Sequence, residues 1–275
     1  MIGMFLNKKI ASIIQVVAIT TWTVFVFLHS SCTTVQHNKV AADLKALKLH
    51  SIMPLEGANH TIDNFETVLL QFQYQDKIMY EVPGINNYSQ VTLNKQGDVI
   101  EDTLLRSETK YYYVVYKKGE KTGLKYDSLN AGIGKRFAVD SFLAGNTITN
   151  FEPFFNHTQE SDSLIQQIWS NDSTSLVEKY IPRHKQGESD SDSTILDFSK
   201  ELLVFDFSFS RRMDSIWHLK LSTIQYIFNP KPESNEPYSK NGVTFLFQIE
   251  KASAQDKKSA IIRLFDVFDK QYTTP

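Results

Sequence analysis

Apolar and polar positions along this chain follow three rhythms. Across residues 10–28 no side chain is charged. At 1.5 Å per helical residue that run spans roughly 28 Å, close to the hydrocarbon thickness of a bilayer. Farther on, a period of two takes over. Val68, Leu70, Phe72 and Tyr74 share one face of a strand over residues 65–74, with Thr67, Gln71 and Gln73 on the other. Gln75-Asp76 turns the chain, and Ile78, Tyr80 and Val82 return as far as Pro83-Gly84, which makes a hairpin. Val91 and Leu93 lead into a turn at residues 95–98. Residues 110–116 are apolar on both faces, as a central strand is, and residues 117–120 turn it into another strand at 123–126.

The third rhythm is helical. Val40, Leu44 and Leu47 predict a one-sided helix over residues 39–49, ended by Pro54 and Gly57. Leu164, Ile165, Ile168 and Trp169, then Leu176, Val177, Tyr180 and Ile181, predict two short helices with Asp172-Ser173 as a cap. Ile261, Leu264, Phe265 and Phe268 predict an amphipathic helix near the end. Between these, Leu203, Phe205, Phe207 and Phe209 alternate as a strand, and so do Val243, Phe245, Phe247 and Ile249. Leu219 and Leu221 fall out of phase with Ile224, Tyr226 and Phe228, which predicts a β-bulge near Ser222-Thr223. The prolines within residues 229–237 demand a loop, and the polar run 185–193 reads as a boundary or exposed loop. The expected fold is α+β and β-rich: one or more antiparallel sheets with a few short helices, after an N-terminal signal or anchor helix. The expected divisions are a leader at 1–31, a tether and short helix at 32–50, and a β-rich region at 51–150. A helical segment with its polar loop at 151–195 and a β-rich region with a terminal helix at 196–275 complete them. Residues 51–275 are open to being one domain.

The leader has the order of an export signal: basic Lys8-Lys9, the apolar run, small residues, then Cys32, the one cysteine of the chain. Leu28-His29-Ser30-Ser31-Cys32 resembles the lipobox of bacterial lipoproteins, in the loosely spaced form seen in Bacteroidota. His29 stands where that pattern usually has Leu. The resemblance implies cleavage between Ser31 and Cys32 and a lipid, with palmitate among its chains, on the Cys32 sulfur. Two other readings stay open. One is an uncleaved anchor, weakened as a span by Gln15 and the hydroxyls of Thr20, Thr21 and Thr23; the other is cleavage to a free protein. All three place the body outside the cytoplasm, in the periplasm or at the cell surface, because Lys8-Lys9 stays on the inner side.

Composition narrows the partners. A net charge of −2 with 22% charged residues gives no electrostatic footprint for nucleic acid. With Cys32 spent on the anchor the body has no disulfide, so its stability rests on burial. Aromatic residues at 12% favour strands.

Local motifs name no reaction. Gly132-Ile133-Gly134-Lys135 lacks the spacing of a phosphate-cradling loop and has Arg136 where that loop needs a hydroxyl. Ser107 and Lys110 match the S-x-x-K spacing of penicillin-recognising enzymes, but they run into a strand, which points the two side chains apart. Asp190, Asp192 and Asp197 lack the glycine and glutamate of a calcium loop. His37, His50, His60, His157, His184 and His218 make no zinc-type pair. No metal, cofactor or catalytic residue is therefore assigned. One pattern recurs: Asp followed by Ser or Thr and then an aliphatic residue or Thr. It resembles the O-glycosylation motif of Bacteroidota envelope proteins and makes Thr103, Ser128, Ser163, Ser173, Ser193 and Ser215 candidate acceptors. The competing explanation is that such pairs cap helices and start turns.

These features describe a membrane-anchored envelope lipoprotein with a non-enzymatic binding or structural role. Its expected partners are the membrane, through the lipid, and an envelope protein or glycan. An anchored hydrolase acting on envelope or nutrient polymers competes with it, and so does an accessory subunit of an envelope complex. A deep cleft with facing carboxylates favours the hydrolase. An exposed apolar patch favours the binder or subunit.

Overall fold

Short turns between alternating runs build the sheet one hairpin at a time. The computed structural model describes residues 43–56, 61–146, 148–149, 162–183, 191–233, 235 and 240–272. The leader, Ser31 and Cys32 lie outside them. Strands β1 (Lys45–Glu56), β2 (Ile62–Tyr74), β3 (Lys77–Leu93), β4 (Val99–Lys117), β5 (Thr122–Tyr126) and β6 (Lys135–Ala138) form one antiparallel meander. Strands β7 (Asp162–Trp169), β8 (Ser175–Pro182), β9 (Ser193–Ser199), β10 (Lys220–Phe228) and β11 (Val243–Lys251) form another. β11 then pairs with β1, giving an 11-stranded sheet in the order β6-β5-β4-β3-β2-β1-β11-β10-β9-β8-β7. The β-rich, antiparallel expectation holds. The expected anchor helix falls outside the described residues.

Each face of the sheet is covered by a different segment. One is packed by helix α3 (Lys258–Tyr272), whose Ile261, Leu264, Phe265 and Phe268 are fully buried against Ala46, Phe72, Met79, Val115 and Tyr126. Phe265 stacks on Tyr74 at 5.9 Å. Asp269 on the same helix pairs with the buried ammonium of Lys77. The other face is packed by the segment joining β9 to β10: a 3-10 turn at Glu201–Val204, an extended piece, and helix α2 (Arg211–Trp217). Helix α1 (Val139–Gly145) completes that side. Ser210 caps α2 by accepting from Met213 N–H, and His218 ends it in the left-handed conformation at φ 53°.

Several expectations change. Residues 45–49 are strand, not helix: Leu47 and Leu49 are buried between β2 and β11, and pairing on both edges outweighs a three-residue helical stripe. Pro54 sits inside β1, past the last β11 partner, where its missing N–H leaves no ladder bond unmade. Pro83-Gly84 does not end β3, which runs on past them to Leu93 beside β4. Residues 164–181 are the β7–β8 hairpin, not two helices. Asp172-Ser173 forms its turn, with Ser173 at φ 55°. Phe205, Phe207 and Phe209 belong to no strand; they are buried in the core as part of the segment joining β9 to β10, which plugs that face of the sheet. The bulge does occur at Ser222, between Leu221 and Thr223, and it brings Leu221, Ile224 and Tyr226 to the same core.

Candidate functional site

Among the described residues, one exposed apolar surface is a two-stranded ribbon. β3 pairs with β2 only as far as Glu81, and β4 pairs with β5 only over Tyr113–Val115. Beyond those points β3 and β4 pair with each other alone, so the ribbon reaches roughly 40 Å past Glu81 at the usual rise of a strand. Its lower part is fastened across the strands. Arg106 lies over the Tyr88 ring at 4.3 Å, and Ser107 donates to Asn87 at 2.8 Å. Its tip is ordered by Asn94, whose Oδ1 accepts from Gln96 N–H and Asp98 N–H, and by Gly97 at φ 88°.

The outer half is aliphatic. Val91, Leu93, Val99, Ile100, Leu104 and Leu105 are each 47–65% exposed. Two register slips, opposite Tyr88/Ser89 and Thr92/Leu93, leave Leu105 and Ile100 as the extra residues of β-bulges. The register puts Val91, Leu93, Val99 and Leu104 on one face of the ribbon and Gln90, Thr92 and Thr103 on the other, so the ribbon presents one aliphatic face. Soluble surfaces seldom carry such a cluster unless something covers it.

A second feature is a cavity of about 670 Å³ on the plug face, where the β4–β5 turn, α1 and the chain entering α2 meet. Its floor is polar. Gln71 and Gln73 are 1% and 4% exposed, although alternation along β2 put them on the solvent side. Gln73 Nε2 donates to Gln71 Oε1 at 2.7 Å, and Gln71 Nε2 donates to the Tyr80 hydroxyl at 2.6 Å. Tyr80 in turn stacks on Tyr116, their ring centroids 6.5 Å apart. Burial pushes the Tyr80 phenol well above its ordinary pKa and the Tyr116 phenol up to about 12. The rim is charged: Lys118 is paired with Asp206, and Lys121, Asp140 and Arg211 stand exposed. No histidine lines this cavity among the described residues.

The candidate acceptors are scattered. Thr103 is exposed on the ribbon, Ser128 in the turn after β5, Ser173 in the β7–β8 turn and Ser215 on α2. Ser163, on edge strand β7, accepts from Arg183 Nε at 3.2 Å, and Ser193 is buried at the start of β9. Three of the neighbouring aspartates do structural work. Asp172 accepts from Ser170 Oγ and Thr174 N–H, which holds its carboxyl down at about 2. Asp192 accepts from Asn229 N–H at 2.7 Å, and Asp214 from Leu221 N–H at 2.8 Å. Asp192 and Asp197 are five residues apart along the chain from the start of β9, too far to share an ion. Among the described residues no group of three or more His, Cys, Asp and Glu side chains comes together as a metal site.

No protein-family model matches the chain, and no curated protein matches it.

Proposed function

We propose that this protein is a membrane-anchored envelope lipoprotein, exported by residues 1–31 and held through a lipid on Cys32, whose body binds another envelope component without transforming it. The ribbon of β3 and β4 carries the binding part of this reading. Its aliphatic side chains belong to neither core cluster, so they add nothing to the folded body, yet they stand exposed on a projecting ribbon. Among the described residues, both outer edges of the ribbon also leave backbone N–H and C=O groups without a strand beside them. A partner adding a strand there would gain ladder bonds and apolar burial together. The same surface suits an accessory subunit of a larger assembly.

Two experiments test the two halves. Mass spectrometry of the protein taken from its native membrane should find a diacylated Cys32 as the first residue, and Cys32→Ala should leave an unprocessed precursor. Normal maturation of Cys32→Ala refutes the lipoprotein reading. Replacing residues 85–109 by Asn-Gly keeps the paired base of the hairpin, Gly84 opposite Lys110. That variant should fold and attach to the membrane but migrate as a smaller species in native gels of envelope extracts. An unchanged assembly size refutes the binding reading.

A further inference from the structure

The buried polar chain beneath the cavity has a fixed direction. It starts at the backbone N–H of Asp206, which can only donate and which meets Gln73 Oε1 at 3.3 Å. That sets the Gln73 amide, so its Nε2 donates to Gln71 Oε1. That in turn sets the Gln71 amide, whose Nε2 donates to the Tyr80 oxygen. The Tyr80 proton is then left to point toward Tyr116, whose ring stacks on that of Tyr80 at 6.5 Å. The last proton of the relay, on Tyr116, has no acceptor among the described residues, and Tyr116 lines the cavity. A second hydroxyl, that of Ser208 on the same wall, is buried without any partner among the described residues. Leaving such a group unpaired costs about 1–3 kcal/mol.

The rim states the rest of the requirement. Lys118, Lys121 and Arg211 balance Glu120, Asp140 and Asp206, so the lining carries no net charge. Lys118 and Asp206 satisfy each other, and Glu120 accepts from the Tyr272 hydroxyl at 3.3 Å. The side chains of Lys121, Arg211 and Asp140 remain as two donors and one acceptor without a partner among the described residues. An occupant would accept from Tyr116 and the two cations and donate to Asp140, and because the lining as a whole is neutral it need carry no charge of its own. A polyhydroxylated ring does all of these, because each of its hydroxyls both donates and accepts. We infer that this cavity binds a small uncharged saccharide of one or two rings, with Tyr116 and Arg211 donating to its oxygens. Its volume lies in the range that small-molecule sites occupy. The inference stands apart from the ribbon, since it uses none of that surface.

The test uses the full chain in a detergent without a sugar headgroup. Saturation-transfer NMR and calorimetry would screen glucose, galactose, mannose, N-acetylglucosamine, maltose and cellobiose to about 10 mM, a range that reaches weak Kd values. Glycine, glutamate and glucuronate serve as zwitterionic and anionic competitors. At least one neutral sugar should bind, and more tightly than any competitor. Tyr116→Phe should weaken it at least tenfold and Arg211→Ala severalfold, while Tyr180→Phe, outside the cavity, should leave it unchanged. If Tyr116→Phe does not fold, the exposed Arg211→Ala decides. Absence of sugar binding, preference for a charged competitor, or indifference to Arg211→Ala overturns the inference. Failure here leaves the ribbon untouched, and failure of the ribbon experiment leaves this result untouched.

Discussion

Removing the Phe265 ring tests whether one helix holds half of the sheet. Phe265 has no exposed surface, stacks on Tyr74, and lies 5.9 Å from the Lys77 ammonium. Its neighbours Leu264 and Phe268 are equally buried, so the space left by Phe265→Ala cannot collapse cheaply. Such truncations cost about 3–5 kcal/mol. For a domain with about 5–15 kcal/mol in total, that is roughly a fifth or more of its stability. Phe265→Leu keeps most of the volume and should cost about 1.5 kcal/mol. Urea unfolding followed by far-UV circular dichroism and tryptophan fluorescence reads both. Trp169 and Trp217 meet edge to face at 5.9 Å, and Trp217 packs in the core opposite α3. If the sheet unfolds as one unit, the tryptophan midpoint must drop with the dichroism midpoint in Phe265→Ala. A loss under about 1 kcal/mol, or a helix that melts while the tryptophan transition stays in place, refutes the argument.

Other outcomes follow from the same physics. Asp214 and Lys220 form a mostly buried pair at 2.9 Å that ties α2 to β10, so Asp214→Ala strands the Lys220 ammonium and should cost about 3–5 kcal/mol in denaturant melts; Asp214→Asn, which keeps an acceptor for Leu221 N–H, should cost less. Tyr116 and Tyr126 are both raised by burial to about 12, Tyr126 further by Asp269, so their stabilisation is whole below pH 10 and fades as pH rises to 12. Each should lose about 2 kcal/mol by pH 12, and phenolate absorbance appearing wholly near pH 10 in the folded protein would refute this. Ile100→Asp with Leu105→Asp should leave the melting temperature within a degree or two, since surface changes stay within about 0.5 kcal/mol, yet shrink the envelope assembly as ribbon removal does.

The readability of the strands depended on whether one face was uniformly apolar. β2, β4 and β11 had such faces and could be read directly. β8 could not, because its inward row is Leu176, Glu178, Tyr180, with a wholly buried carboxylate in the middle. Tyr180 and Gln167 donate to that carboxylate at 2.9 Å each. With the middle position polar, Leu176-Val177 and Tyr180-Ile181 look like successive helical turns. β7 adds a slip between Leu164 and Gln166, which breaks alternation at Ile165. The extended plug shows a different limit: Phe205, Phe207 and Phe209 alternate as a strand does, but alternation cannot say whether a neighbouring strand lies alongside. The cavity was hidden for the reason β8 was. Gln71 and Gln73 read as a wet face, and only the fold brings Asp206 over them.

That buried relay bears on what the molecule is for. Replacing both partners of a buried hydrogen bond by apolar groups of the same shape is often nearly neutral, so Gln71, Gln73, Tyr80 and Tyr116 are not the cheapest way to fill a core. Leu or Phe at those positions would pack against Leu69, Ile78 and Val114 with no polar group to satisfy. A polar chain that ends in an open hydroxyl at a cavity has a use that an apolar core lacks. The ribbon is costly in another way, since it exposes aliphatic residues that the core does not need. The two features therefore predict opposite mutational signatures. Ribbon substitutions should remove assembly at constant stability, while relay substitutions such as Gln71→Ala should lower stability and sugar affinity together. A variant set in which both surfaces behaved alike would mean that neither had been kept for binding.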